Sequence, residues 1–150
     1  MPTARPQRKT IRLPNYDYSS EGAYFVTICT DGKKNILCSY TMPQMEGDAP
    51  VFHLTPVGRA VDDMIRLIPG IDKYVIMPNH VHMIVLNGDN DASLAKKLQF
   101  FKSNLTRKLD RSIWQRGYYE YVIRSERDYL VRWKYIDDNP AKWATDDYYC

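Results

Sequence analysis

The chain has few cysteines, few histidines and no long apolar run, and each shortage removes a class of protein. Cys29, Cys38 and Cys150 are odd in number and lack CxxC spacing, which argues against both a disulfide framework and a thiolate zinc site. They suit a reducing compartment. No apolar stretch follows Arg5, Arg8, Lys9 and Arg12 as it would in a secretory signal, so a cytoplasmic location is expected. No window approaches the roughly 18 uninterrupted apolar residues of a membrane span. Internal repeats and low-complexity tracts are also lacking.

What is present is enough for one core: 150 residues with 44% hydrophobic content leave little room for a second domain. A single domain over residues 1–150 is expected, with 1–18 as a basic extended arm. The net charge of +3 decides little, but its distribution is uneven. Residues 1–40 hold six Lys/Arg against three Asp/Glu, and residues 91–134 hold eleven against five. A polyanion against Lys96, Lys97, Lys102, Arg107, Lys108, Arg111 and Arg116 would use that segregation. A solvated helix face would show it equally well.

Residues 23–30 (AYFVTICT) are rich in aromatic and β-branched side chains and read as a first strand. Lys33 to Pro50, with Gly, Pro and mixed polar residues, reads as a loop. Thr55 as N-cap and Pro56 at the first helical position open a helix to about Leu67, which Pro69-Gly70 ends. Tyr74 to Met77 and His80 to Leu86 read as strands separated by Pro78-Asn79. Ser93 caps a basic helix whose stripe is Leu94, Leu98, Phe101, Leu105 and Leu109. A strand from about Tyr118 to Arg124 precedes Ser125-Glu126-Arg127-Asp128, a capping pattern for a last helix running towards Asn139 and stopped by Pro140. The order β-α-β-β-α-β-α points to an α+β, two-layer, ferredoxin-like domain with an antiparallel sheet.

The chemistry gathers in MPNHVHMIV, residues 77–85. Alternate residues of a strand share a face, so His80 and His82 can present two imidazoles to one cation while Val81 and Met83 turn to the core. Buried histidines with hydrogen-bond partners are the alternative reading of such a pair. The last helix supplies further donors, since Tyr135 and Asn139 lie one turn apart. Its core stripe is Tyr129, Trp133 and Ile136, and Tyr135 projects about 120° away from it. Two neutral imidazoles and an amide oxygen would leave positions open for water and phosphate oxygens, which favours Mg²⁺ or Mn²⁺.

With these residues in place, MPNHVHMIV, WQRGYYEYVIRSERDYLVRWKYIDDNPAKW and NYDYSSEGAYFVTICT together resemble the HUH single-tyrosine transposases of bacterial insertion sequences. The resemblance is closest to the REP-associated tyrosine transposases of the IS200-like group, and it covers nearly the whole chain. It implies that Tyr135 is the nucleophile, that His80 and His82 hold the metal, and that a 5′-phosphotyrosine intermediate is rejoined to another DNA 3′-hydroxyl. Where the insertion-sequence branch has Gln as a further ligand, this chain has Asn139, as the REP-associated branch does. The implied partners are single-stranded DNA hairpins of palindromic repeats, bound by the basic helix and the amino-terminal arm through Lys102, Arg107, Arg116 and Arg12. Trp114, Tyr118 and Tyr119 could stack on bases or pack in the core. A phenol of pKa about 10 needs help to deprotonate, and Lys134, Arg132 and the metal are the groups at hand. The insertion-sequence relatives are dimers and the REP-associated ones can be monomers, so a homodimer stays open.

Two other classes compete. A histidine-triad nucleotide hydrolase would need another histidine two residues on, where Ile84 stands. A non-catalytic single-strand-binding module would share the sheet and the aromatics but has no use for His80, His82 and Tyr135 as a set.

Overall fold

The segment Ala23–Cys29 forms strand β1, as its β-branched and aromatic content requires, and it lies in the middle of the sheet. The computed structural model describes residues 22–41, 45, 48, 50–88 and 92–145. The amino-terminal arm with Arg12, and Cys150, lie outside the described residues. After β1 come a 3-10 turn (Asp31–Lys33), β2 (Cys38–Thr41), β3 (Val51–Leu54), α1 (Pro56–Ile65), β4 (Ile71–Met77), β5 (His80–Leu86), α2 (Leu94–Leu109), β6 (Tyr119–Ile123), α3 (Glu126–Asp138) and a second 3-10 turn (Pro140–Thr145).

The main sheet has the order β4-β5-β1-β6, with every neighbouring pair antiparallel. The β1-α1-β4 crossover therefore straddles β5, which is the ferredoxin-like arrangement expected from the element order. Each strand of the central pair has two distinct faces. Val26, Ile28, Val81, Met83 and Val85 join Ala60, Val61 and Ile65 of α1 and Leu94, Leu98, Phe101 and Leu105 of α2 in one core. Ala23, Phe25, Ile84 and Leu86 pack on the other side with Tyr129 and Ile136 of α3. The sheet thus separates α1 and α2 from α3.

Local chemistry sets the ends of the helices. Thr55, Ser93 and Ser125 each accept a hydrogen bond from the backbone N–H three residues on. Gly58 of α1 lies so close to the Leu37 carbonyl that a Cβ would collide with it. At Gly70, φ is +85° and the Leu86 carbonyl crowds the same position.

Three sequence expectations need correction. The stretch from Lys33 to Pro50 is not wholly loop, because Cys38–Thr41 pairs with Val51–Leu54 as a separate two-stranded sheet. β4 starts at Ile71 and not Tyr74, with a register irregularity between Ile71 and Lys73 where polar residues interrupt the apolar pattern. Finally α1 stops at Ile65, short of Leu67.

Candidate active site

His80 and His82 lie on β5, facing α3, and are 0% and 1% exposed. Their Nε2 atoms are 3.1 Å apart. Two cis ligands at about 2.1 Å from an octahedral ion are separated by roughly 3 Å, so the convergence matches a shared cation. The outer ring nitrogens are anchored separately. His80 Nδ1 lies 2.8 Å from Asn79 Oδ1, and Asn79 Nδ2 donates to the Lys33 carbonyl, which turns the amide oxygen to the ring. His80 Nδ1 is then the donor and its Nε2 carries the lone pair.

His82 Nδ1 lies 2.8 Å from Thr27 Oγ1. A hydroxyl both donates and accepts, so Thr27 can serve either tautomer of His82. Donating to Nδ1, it leaves a proton on His82 Nε2 for the His80 lone pair. Accepting from Nδ1, it frees both Nε2 lone pairs for a cation.

Burial keeps both rings neutral. It pushes His80 down to about 3, with the Lys33 charge adding to the effect and the Asn139 amide opposing it. His82 is held well below its ordinary 6.5 by burial first, then by His80 and by the Arg132 charge. Neutral imidazole is the ligating form.

Asn139 follows the last residue of α3 and is 3% exposed. Its Nδ2 donates to the Tyr135 carbonyl, whereas its buried Oδ1 completes no hydrogen bond. This buried amide oxygen, with no completed hydrogen bond yet close enough to His80 to act on its protonation, is an acceptor available at the position a third ligand would take. Among the described residues no three His, Cys, Asp or Glu cluster, so the available set is two imidazoles and an amide. That set fits the Mg²⁺ or Mn²⁺ expected from the sequence.

Tyr135 lies over this group. Its ring centroid is 5.2 Å from that of His82 and 5.9 Å from Phe25, both edge-on, and the residue is 41% exposed. Phe25 in turn stacks on His82 at 5.3 Å. Trp143, fully buried in the final 3-10 turn, stacks on His80 at 6.1 Å and is met edge-on by Tyr40 of β2 and Phe52 of β3. The small sheet missed in the sequence is therefore part of the wall behind His80.

The structure brings His80, His82, Tyr135 and Asn139 together, but not the residues expected to contact DNA. Lys102 and Arg107 belong to α2, across the sheet. Lys102 Nζ donates to the carbonyls of Gln115 and Gly117, tying α2 to the segment before β6, and burial lowers its pKa. Arg107 donates to Asn104 and, with Lys102, Ser103, Thr106, Asp110 and Arg111, lines a surface groove of about 560 Å³. Arg116 is exposed. Of the two readings open for Trp114, the structure has core packing and not a stacking platform, since it is 7% exposed and packs on Phe101 at 5.8 Å. Lys97 is likewise buried, donating to the Pro69 carbonyl. Lys134 is paired with Asp138 at 3.1 Å.

Sequence reasoning missed Thr27, Asn79, Phe25 and Trp143. Thr27 left one faint signal, a hydroxyl in an otherwise apolar strand run. The other three become visible only through register and the return of the chain after α3.

No family model matches the chain. A protein of Haemophilus influenzae described only as uncharacterized is 32% identical, over 95% of this chain and 93% of its own length. Two relatives carry the name of the REP-associated tyrosine transposases. One, from Escherichia coli, is 30% identical over 73 residues, 48% of this chain and 44% of its own. The other, from Haemophilus influenzae, is 29% identical over 82 residues, 45% of this chain and 47% of its own. The chain thus spans less than half the length of the two named relatives. The solved structure of a REP-associated tyrosine transposase bound to a REP hairpin is similar over 95% of this chain and 74% of that one, with a TM-score of 0.59 and 23% identity. That likeness is one of fold. No helix among the described residues is long and apolar enough to cross a membrane.

Proposed function

Because the chain belongs to the REP-associated tyrosine transposase family, we propose that it cuts and rejoins single-stranded DNA with Tyr135 as nucleophile. The observation that carries this reading is the pair of Nε2 atoms at 3.1 Å beneath a tyrosine ring that is still 41% exposed. A tyrosine kept for packing alone would be buried like Tyr129, its neighbour on α3.

His80, His82 and Asn139 would hold Mg²⁺ or Mn²⁺, which would supply polarisation of a phosphate oxygen. Tyr135 Oη attacks phosphorus, so an O–P bond to tyrosine forms as the bond to the DNA 3′-oxygen breaks. The phenolic proton is transferred, in the net balance, to the leaving 3′-oxygen. No water or nucleotide is consumed, and a second 3′-hydroxyl reverses the step onto new ends. The partners are DNA hairpins formed by palindromic repeats; the structurally similar transposase is bound to a REP hairpin.

The test is incubation of the protein with a pool of labelled hairpins carrying single-stranded flanks, in Mg²⁺ or Mn²⁺. A protein-DNA band that survives denaturation is expected for the wild type and not for Tyr135→Phe. His80→Ala is expected to keep hairpin binding and lose the band. A band formed undiminished by Tyr135→Phe overturns the assignment.

A further inference from the structure

β6 presents a second row of side chains to the face that holds the histidines. Thr27, whose hydroxyl contacts His82, has Tyr119 as its cross-strand neighbour, and Phe25, which stacks on His82, has Tyr121. Cross-strand neighbours share a face, so Tyr119 and Tyr121 lie on the α3 side of the sheet. Tyr118, between Gly117 and β6, packs instead with the α1-α2 core.

Arg132 reaches this row from α3. Its guanidinium carbon lies 3.9 Å from the Tyr121 ring centroid and 5.0 Å from that of Phe25. Asp128 Oδ1 is 3.7 Å from Arg132 Nε, beyond hydrogen-bond reach, and Nε is buried without an acceptor. A guanidinium held over aromatic rings keeps its Nη donors in its own plane, the fork that matches phosphate oxygens. Tyr119, two residues along β6 from Tyr121 and so about 7 Å away, is 53% exposed. A held cation one such step from an open aromatic ring is the working unit of single-strand grooves.

We propose that Arg132 and Tyr119 form a nucleotide subsite along β6, in which Arg132 binds a phosphate of the single strand and Tyr119 stacks on an adjacent unpaired base. The subsite rests on the reading of the neighbouring centre as a place for single-stranded DNA. It takes any base, because a stacked ring reads no hydrogen-bond pattern. It is also distinct from the basic surface of α2, which lies across the sheet.

The experiment measures binding of a fluorescent oligothymidylate of about ten nucleotides to the full chain in chelator, by anisotropy over a series of salt concentrations. Tyr119→Ala is expected to weaken binding about tenfold while Tyr119→Phe stays within about twofold of wild type. Arg132→Gln is expected to lower the slope of log K against log salt by about 0.7, the loss of one phosphate contact on a single strand. Arg132→Met keeps an alkyl stem over Tyr121 and serves as a second uncharged variant if the glutamine protein fails to fold. A purely structural Arg132 would alter the melting temperature and leave the salt slope alone. Wild-type affinity in Tyr119→Ala, an unchanged slope in both Arg132 variants, or no binding by the wild type overturns the subsite. The hairpin adduct assay is scored separately, so an intact Tyr135 band beside any of these results sinks the subsite alone, and a missing wild-type band sinks the reading of the centre.

Discussion

Thr27 contributes a single hydroxyl, yet it sets what His82 can do. Replacing it with Val leaves His82 Nδ1 without its 2.8 Å partner inside the core. Thr27→Val is expected to reduce Mn²⁺ affinity about 10- to 100-fold, with Thr27→Ser close to wild type, as titration calorimetry would measure. The histidines also make the metal-free protein sensitive to acid. Burial lowers the pKa of both rings, with the Lys33 and Arg132 charges adding to it and the Asn139 amide resisting it at His80. In the unfolded chain they titrate near 6.5. As pH falls from 6.5, the unfolded chain takes up protons that the folded chain refuses, down to about 3 for His80. Stability should therefore drop through that window, by about 1.4 kcal/mol per pH unit for each histidine. Urea midpoints in chelator would read this slope, and His80→Asn should flatten it. His80, His82 and Tyr135 were legible in the sequence because strand and helix periodicities place them. Thr27 and Asn79 act through partners that no local pattern reveals.

α3 carries Tyr135 and is capped by Asn139, and its start depends on the Ser125 side chain accepting from the Asp128 N–H. Ser125→Ala is expected to cost about 1 kcal/mol, seen in thermal unfolding, and to fray the turn that leads into the helix carrying Tyr135. Caps of this kind were readable in advance, as were the apolar stripe of α2 and the exposure of Tyr135 off the stripe of α3. The pair β2-β3 was not. Cys38–Thr41 is short, with Gly and Pro residues on the way to Val51, and its strand character comes from pairing across that interval. Its role as backing for Trp143 and His80 depends on a contact with the end of the chain, which propensity does not encode. For Trp114 the sequence left stacking and core packing equally open, because an aromatic beside basic residues looks the same whether its ring faces solvent or, as here, Phe101.

At the scale of the whole molecule, the ferredoxin-like topology followed from the order of elements, whereas the division of labour between the faces did not. α2 is the most basic helix, but it packs behind the sheet that presents the histidines. Leu98→Ala, in the middle of the α1-α2 core, is expected to destabilise the fold by about 2–5 kcal/mol. Below the new melting temperature, Mn²⁺ affinity should stay within about twofold, because the cavity opens on the far side of β1 and β5 from the histidines. A large loss of affinity in the folded variant would show that the two faces are mechanically coupled. If they are not, the sheet acts as a partition between two problems that selection can solve separately. Residues on α1 and α2 can drift and acquire new surface preferences while the buried histidines of β5 and their partners on α3 stay as they are. Copies of this fold would then diverge in surface charge long before they diverge around the histidines.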